Sequence, residues 1–159
     1  MPIQPWRIGI SYALAALTRS ILTLCIAVAA TIWFIPGPYF SHPLYLLLAL
    51  FLTGLEFGML GVIFGFLAQN FENLTFMTTF VMQPMLFLSG VFYPISTLPG
   101  VWSKASLFNP IHHNVNLLRY GITGYSDFNP LWSLLIVFTL ATIFFIIMQM
   151  TARRSLRMK

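Results

Sequence analysis

Four long apolar runs constrain what this chain can fold into more than any other feature of its sequence. They cover residues 10–35, 44–68, 74–92 and 131–150. Each run is close to the roughly 20 residues that a helix needs to cross the hydrocarbon of a bilayer. A backbone in lipid must satisfy its hydrogen bonds internally, so runs of this kind form helices. The sequence therefore predicts an all-α integral membrane protein with four transmembrane helices.

The composition supports a membrane protein and argues against a soluble domain. Only 7% of the residues are charged and 58% are hydrophobic, whereas about a quarter of the residues in soluble domains are charged. The net charge of +5 does not indicate nucleic-acid binding, because the basic residues are scattered apart from a basic tail at 151–159. A basic cluster that follows a span is typical of a cytoplasmic anchor at the lipid surface.

The distribution of Lys and Arg predicts the orientation. Four spans place both termini on one side of the membrane, and that side carries Arg7 and the basic tail at 151–159. The other side carries Lys104 and Arg119. The positive-inside rule therefore places both termini in the cytoplasm, with the segment between the third and fourth spans outside.

Prolines divide the chain around the end of the third span. Pro84 follows Gln83 and is predicted to interrupt that helix, because proline removes a backbone donor and clashes with the preceding turn. The helix is predicted to end at Tyr93-Pro94, since the residue before a proline avoids the α region. A second proline-led piece begins at Pro99, so residues 94–127 are predicted to form an outer helical hairpin.

The second helix of this hairpin has a clear start. Asn109 stands at an N-cap position and Pro110 at the first helical position, which each residue prefers. Apolar residues then recur at helical spacing on one face: Ile111, Val115, Leu118, Ile122 and Tyr125. The pattern predicts an amphipathic helix that buries this apolar face and is too short and too polar to cross a bilayer.

A set of short motifs in this region resembles the pattern of type-2 ABC exporter permeases. The motifs are Leu88-Ser89-Gly90-Val91, Leu98-Pro99, Asn109-Pro110-Ile111, His113 and Arg119-Tyr120-Gly121. The resemblance implies a six-span fold with two short outer helices between spans five and six. The four runs here would be the last four spans, so the first two spans of the family and its cytoplasmic coupling helix are missing from the sequence. The resemblance assigns the outer gate to Pro94, Pro99, Asn109, Pro110, His113 and Arg119.

The resemblance also implies the function and the partners. The chain would be a permease subunit in a bacterial inner membrane, working as a dimer with a separate cytoplasmic ATP-binding subunit and in contact with membrane lipids. No Walker-type glycine loop is present, so ATP hydrolysis is expected in the other subunit, and neither cofactor nor nucleic acid is expected here. The alternatives are a truncated or non-transporting small membrane protein and a membrane enzyme that acts on lipid-linked substrates.

Three polar residues within the apolar runs are candidates for a translocation route or a buried polar contact: Arg19, Glu56 and Gln83. Charges at membrane depth usually face protein or a water cavity. Arg19 and Glu56 lie at similar depths in antiparallel spans, so they can meet. A structural ion pair is the favoured interpretation, and a polar lining of the transport route is the alternative.

Four glycines fall on one face of the second run: Gly54, Gly58, Gly61 and Gly65. Small residues at this spacing let helices approach closely in lipid. Tight packing within one subunit is favoured over an interface between subunits.

The outer helix carries the remaining candidates for chemistry. His112 and His113, with His42 as a third ligand, could suggest a metal site, but adjacent histidines point about 100° apart on a helix and no Cys or acidic cluster supports them. They are interpreted as interfacial polar residues, and no metal is expected. Arg119 could meet anionic headgroups, an anionic substrate or Asp127.

Overall fold

A computed structural model describes residues 40–92 and 99–157 of the chain, with side chains as far as residue 154, and separate positions between 10 and 33. The helices are α1 (Pro43–Leu67), α2 (Phe71–Phe76), a π-helical segment (Met77–Met82), α3 (Gln83–Phe87), α4 (Gly100–Leu107), α5 (Pro110–Thr123) and α6 (Pro130–Arg157). The separate positions between 10 and 33 are also helical. The described part of the chain contains no strand, so the all-α class is confirmed.

Within the described part of the chain, two helices are long and apolar enough to cross a membrane. They are α1 and the part of α6 that covers Pro130–Arg154, and they coincide with the second and fourth predicted spans. The first predicted span, 10–35, is described only at separate positions, and those positions are helical. The third predicted span, 74–92, corresponds to a helical run over 71–87 that changes from α to π and back to α. The count of four spans therefore stays a prediction.

Pro84 explains the change of helix type in this run. The run passes from α2 through the π-helical segment to α3, and the π-helical turns stand directly before the Gln83-Pro84 pair. Proline cannot donate to the turn before it and its ring crowds that turn, and the wider π turn is a known way to relieve such a break. The predicted interruption is thus present, and the irregular turns lie on its N-terminal side.

The predicted end of this helix at Tyr93-Pro94 is wrong, because α3 ends at Phe87. The hydroxyl of Ser89 donates to the carbonyl of Leu86 at 2.6 Å, and Gly90 adopts the left-handed conformation with φ of +82°. A side-chain bond to a helical carbonyl followed by a left-handed glycine is a common helix stop. The stop signal was therefore a serine–glycine pair, not the proline that follows.

The core forms where α1, α5 and α6 meet. Its fully or largely buried members are Ala49, Leu52, Met59, Ile63, Leu117, Val137, Ala141 and Met148. The first four come from α1 and the last three from α6, so these two helices pack along each other. Leu117 comes from α5 and is completely buried. The short helix α5 is thus a third element of the core.

Helices α1 and α5 approach closely at Gly121. A Cβ atom built on Gly121 would lie 2.7 Å from Cβ of Leu46 and 2.8 Å from its Cα. Beside this contact, the backbone N–H of His42 donates to the carbonyl of Gly121 at 3.0 Å. The ring of His42 stacks on Tyr120 with the ring centroids 4.2 Å apart. The C-terminal end of α5 is therefore joined to the start of α1 through backbone contact.

Gly61 and Gly65, on the glycine face of α1, make no close contact of this kind with another described helix. A Cβ atom on Gly61 or Gly65 would meet no heavy atom within 4 Å, and both residues are exposed. Gly54 is buried and Gly58 is half-buried. Close packing is therefore absent at Gly61 and Gly65 within the described part of the chain, and the prediction of tight packing within one subunit stays a prediction. A small residue permits close approach, but it does so only where another element is present to approach.

We predict that Gly121→Ala destabilises the protein by about 1–3 kcal/mol, the usual range for overpacking a close contact. The added methyl group would overlap the backbone of Leu46, which cannot move independently of α1. Thermal unfolding of the detergent-purified chain measures the change.

Gly61→Ala is the matched control. It adds the same methyl group to open space, and alanine has a higher helix propensity than glycine by about 1 kcal/mol, so the unfolding temperature should stay equal or rise. Equal tolerance of the two substitutions would contradict the close approach at Gly121.

Candidate functional site

The N-terminus of α5 is fixed by the predicted cap. Oδ1 of Asn109 accepts a hydrogen bond from the backbone N–H of Ile111 at 3.0 Å, as an N-cap side chain does. The amide nitrogen of the same side chain donates to the carbonyl of Met85 at 2.5 Å. The predictions of the N-cap and of Pro110 at the first helical position are confirmed. The cap also ties α5 to α3, which the sequence pattern did not indicate.

The N-terminal half of α5 is buried around most of its circumference, and four of its buried side chains are polar. His112, His113, Asn114 and Asn116 are between 1% and 3% exposed. Of the predicted apolar face, Ile111 is buried, whereas Ile122 and Tyr125 are 40% and 57% exposed. The prediction that α5 buries its apolar face is therefore wrong toward its C-terminus. Lipid can accept exposed apolar side chains, whereas polar groups away from water need protein partners.

Asn116 uses its whole hydrogen-bonding capacity. Its amide nitrogen donates to the carbonyl of Phe128 at 2.8 Å and to Oγ of Ser133 at 3.0 Å. Its carbonyl oxygen accepts from the backbone N–H groups of Asp127 and Phe128 at 2.9 and 3.3 Å. Two donor hydrogens and two acceptor lone pairs are all that an asparagine side chain offers. This residue therefore fixes the loop that leads into α6.

The two histidines connect α5 to three further places. Nε2–H of His113 donates to the carbonyl of Leu107 at the end of α4, at 2.9 Å, and its Nδ1 accepts from Oγ of Ser133 in α6 at 3.3 Å. Nδ1–H of His112 donates to the carbonyl of Ser89 at 3.2 Å. Burial lowers the pKa of both imidazoles below the ordinary value of 6.5, so both are neutral near pH 7. Their interpretation as interfacial polar residues is wrong, because both are buried.

His42 is not brought to the other two histidines. It contacts Tyr120, which lies seven residues along α5 from His113, or about 10 Å at the helical rise. The described residues include no group of three potential metal ligands. The three histidines serve separate contacts at the two ends of α5.

Arg119 forms an ion pair with Asp127 and also donates to the carbonyl of Gly90. Asp127 is one of the three partners that the sequence suggests for it. The pair joins the turn after α3 to the loop before α6. Both side chains are at least partly buried, at 23% and 8% exposed, so the pair is shielded more than a surface ion pair is.

Glu56 is paired with an amide and not with a cation. Its Oε2 accepts from the amide nitrogen of Asn114 at 2.6 Å, and Oδ1 of Asn114 accepts from Oγ of Thr53 at 2.8 Å. Among the described residues Arg119–Asp127 is the only ion pair. The favoured pairing of Glu56 with Arg19 is therefore wrong. Arg19 is exposed and lines a groove on the glycine face of α1, whereas Glu56 is directed to α5.

Two empty volumes adjoin these residues. The groove that Arg19 lines has a volume of about 520 Å³ and also includes Gly58, Gly61 and Gly65. The smaller cavity holds about 90 Å³ and is lined by Glu56, Phe57, Leu60, Phe64, Val81, Met82, Met85, Pro110, Ile111, Asn114 and Phe144. The members of the second set come from α1, the π-helical segment, α3, α5 and α6.

The remaining predicted residues take different places. Gln83 is exposed at the start of α3, and Pro99 is the residue before α4. Pro94 lies outside the described residues. Sequence reasoning missed Asn114, Thr53, Ser89 and Ser133 as partners. The available signal was the unbroken run of three polar residues, His112, His113 and Asn114, in a chain with very few charges.

Comparison with known proteins places the chain among transport proteins. A protein-family model described as ABC-2 type transporter matches residues 1–123, which end with α5. The chain is similar to the inner membrane transport permease YadH of Escherichia coli strain K12, with 31% identity over 143 residues. That alignment covers 88% of this chain and 55% of YadH. The chain thus spans about half the length of this relative. No solved structure matches it significantly.

Shorter alignments give higher identity. Nodulation protein J of Rhizobium leguminosarum bv. trifolii is 39% identical over 82 residues, covering 52% of this chain and 31% of that protein. Nodulation protein J of Sinorhizobium fredii strain NBRC 101917 / NGR234 is 37% identical over 97 residues, covering 61% and 36% respectively.

We predict that acidification below about pH 6.5 destabilises the fold through the two histidines. Because the pKa of each imidazole is lower in the folded chain than its ordinary value, the unfolded state binds more protons as the pH falls, and stability falls with it. Unfolding temperatures of the purified chain between pH 7.5 and pH 5 measure this effect.

The double variant His112→Gln/His113→Gln is the comparison. It should show a lower unfolding temperature at pH 7.5 and a flatter dependence on pH, since it lacks both imidazoles. An unchanged pH slope in this variant would contradict the assignment.

Proposed function

The chain belongs to the ABC-2 type transporter family, and we propose that it is a transmembrane permease subunit of an ATP-driven exporter. In this proposal it forms the translocation route together with a second permease, and separate ATP-binding subunits hydrolyse the nucleotide. The match of the family model to residues 1–123 supports the permease assignment. The names of the relatives support transport at a bacterial inner membrane.

The observation that carries the proposal is the position of α5 between the two candidate spans. Asn114 joins it to α1 through Thr53 and Glu56, and Asn116 and His113 join it to α6 through Ser133. An element bonded to both helices must shift or break contacts when one helix moves against the other. Packed cores move between discrete arrangements rather than deform continuously. We therefore assign α5, with α4, as the gate that responds to movement of the spans.

The proposed topology has four spans, both termini in the cytoplasm and the α4–α5 hairpin on the outer side. The distribution of Lys and Arg supports this orientation. The exposed apolar residues at the end of α5, Ile122 and Tyr125, are compatible with an outer membrane–water interface, where tyrosine is common.

We also propose that the permease is a dimer. The groove at Gly61 and Gly65, which Arg19 also lines, supports this, since a helix of a second permease can approach closely where a Cβ atom would meet no neighbour.

The alternative, a membrane enzyme that uses His112, His113 and Arg119, is less well supported, because His113 and Arg119 are engaged in internal hydrogen bonds. Nε2 of His112 has no partner among the described residues.

Co-purification tests the central proposal. The tagged chain, extracted from membranes of its source cells after mild crosslinking, should bring down a protein that carries a nucleotide-binding P-loop. The ATPase activity of the recovered complex should fall on Arg119→Gln, which breaks the link between Gly90 and Asp127, and persist in Lys104→Gln, which changes a charge at the end of α4. Recovery of the chain without any nucleotide-binding partner would contradict the exporter assignment.

Cysteine labelling tests the topology. In a Cys25→Ser background, a cysteine at Lys104 or Thr123 should react with a membrane-impermeant maleimide in intact cells. A cysteine at Ser155 should react only after permeabilisation. The reverse pattern would contradict the orientation and the assignment of the hairpin as an outer gate.

A further inference from the structure

Arg19 has no acidic partner within its own chain. The chain has three acidic side chains, Glu56, Glu72 and Asp127, and all three are described. Asp127 pairs with Arg119 in the one ion pair among the described residues, and Glu56 is buried against α5. An arginine at membrane depth is costly without a counter-charge or water. A counter-charge for Arg19 therefore has to come from outside its own fold.

The groove beside Arg19 suits a helix better than a lipid chain. Gly58, Gly61 and Gly65 line it, and a Cβ atom on Gly61 or Gly65 would meet no described heavy atom within 4 Å. Small residues at this spacing let helix backbones approach closely in lipid. They offer an acyl chain less contact surface than larger side chains do. The groove, with a volume of about 520 Å³, thus has room for the side chains of another helix.

The side of α2 and the π-helical segment that carries Glu72 is exposed and aromatic. Glu72, Thr75, Phe76, Thr79 and Phe80 lie on this side. No side chain of the two segments is buried. The rings of Phe76 and Phe80 are 59% and 66% exposed and stack with their centroids 4.5 Å apart. We call this side, with its exposed acid, the aromatic face.

The groove and the aromatic face lie at matching depths. Only residues 68–70 separate α1 from α2, so the end of α1 and the start of α2 lie on one side of the membrane in the proposed topology. At the helical rise, Gly61 and Gly58 are about 9 and 14 Å from the end of α1, and Phe76 and Phe80 are about 8 and 13 Å from the start of α2. Glu72 stands at that start, and a long arginine side chain can extend toward the membrane edge. Because all copies share one orientation, these depths also match between two copies.

We propose that the groove of one copy receives the aromatic face of a second copy, with Glu72 of each copy paired to Arg19 of the other. The inference rests on the dimer of the proposed function and assigns the contact that forms it. A two-fold axis makes the contact reciprocal, so both cations obtain a counter-charge. Glu72 is the occupant's acid because the other two acids of the chain are engaged within their own fold. Arg19 is thus neutralised by assembly.

Charge reversal tests the pairing. A dimer of Arg19→Glu copies, or of Glu72→Arg copies, places like charges against each other, whereas a mixed dimer of the two variants restores both pairs. Two differently tagged copies are co-expressed and recovered through one tag after mild extraction. The mixed combination should yield on the order of 10-fold more paired copies than either variant with itself, because like charges in contact are strongly unfavourable. Equal yields of mixed and same-variant pairs overturn the proposal.

A matched control uses Lys104, a cation on α4 outside the groove. Co-expression of Lys104→Glu with Glu72→Arg should not raise the yield of pairs above that of Glu72→Arg with itself, since position 104 does not meet position 72. A rise equal to that given by Arg19→Glu would contradict the specific contact.

Cysteine cross-linking covers the case in which a charge-reversed copy does not insert. In a Cys25→Ser background, one copy carries Gly61→Cys and a differently tagged copy carries Phe76→Cys. The matching depths place these positions opposite each other, so mild oxidation in membranes should join the two copies; a disulfide needs Cα atoms within about 7 Å. Ile146→Cys, at an exposed position on α6, replaces Phe76→Cys as the control and should not cross-link. A yield no higher than this control overturns the proposal.

These measurements need no ATP-binding subunit, so they separate the contact from the exporter assignment. Recovery of an ATP-binding subunit with dimers that ignore the charge reversals would overturn the contact and leave the exporter assignment standing. Charge-dependent dimers without such a subunit would do the opposite. An anionic phospholipid that co-purifies with the unmodified chain and is lost in Arg19→Gln, without any cross-link, would assign the groove to lipid and overturn the proposal.

Discussion

The structure depends on hydrogen-bond partners for the polar side chains of one helix that is buried in an otherwise apolar protein. Helix α5 places two histidines and two asparagines where they are nearly inaccessible, and a buried polar group without a partner costs about 1–3 kcal/mol. Nearly all of that polarity is met by specific atoms on the surrounding elements: Thr53 and Glu56 on α1, the carbonyls that follow α3 and end α4, and Ser133 on α6. This requirement constrains where α1, α3, α4 and α6 lie around α5, because each partner has to be held at hydrogen-bonding distance from one 14-residue helix.

The same hydrogen bonds restrict the positions that the proposed gate can take. Apolar contacts between helices can slide with little change in energy, since lipid and protein interior are similarly apolar. The hydrogen bonds of Asn114 and Asn116 cannot slide, because a partly broken buried network costs more than an apolar contact. A helix held in this way favours discrete positions, which is what the proposed gate requires.

Three particular residues illustrate what the sequence could and could not reveal about the candidate site. Asn109 was identified correctly, because an N-cap followed by proline is a local signal that involves adjacent residues. Glu56 was recognised as a buried polar candidate, since an acid within a long apolar run has to face protein, but its partner was misassigned. The choice between Arg19 and Asn114 depends on which helix packs on which face of α1. The sequence places Gly121 in a motif but does not predict its close contact with α1. The regularly spaced glycines at 61 and 65, which do suggest close contact, face open space.

The sequence by itself determined the helical class, the positions of α1 and α6 and the start of α5. These follow from apolar length, the self-contained hydrogen bonding of helices in lipid and local capping chemistry. It did not determine which residues of α5 are buried. Hydrophobic periodicity predicts the buried face only when the alternative environment is water. In lipid the apolar side chains can stay exposed. The polar side chains lie where the tertiary structure supplies hydrogen-bond donors and acceptors for them.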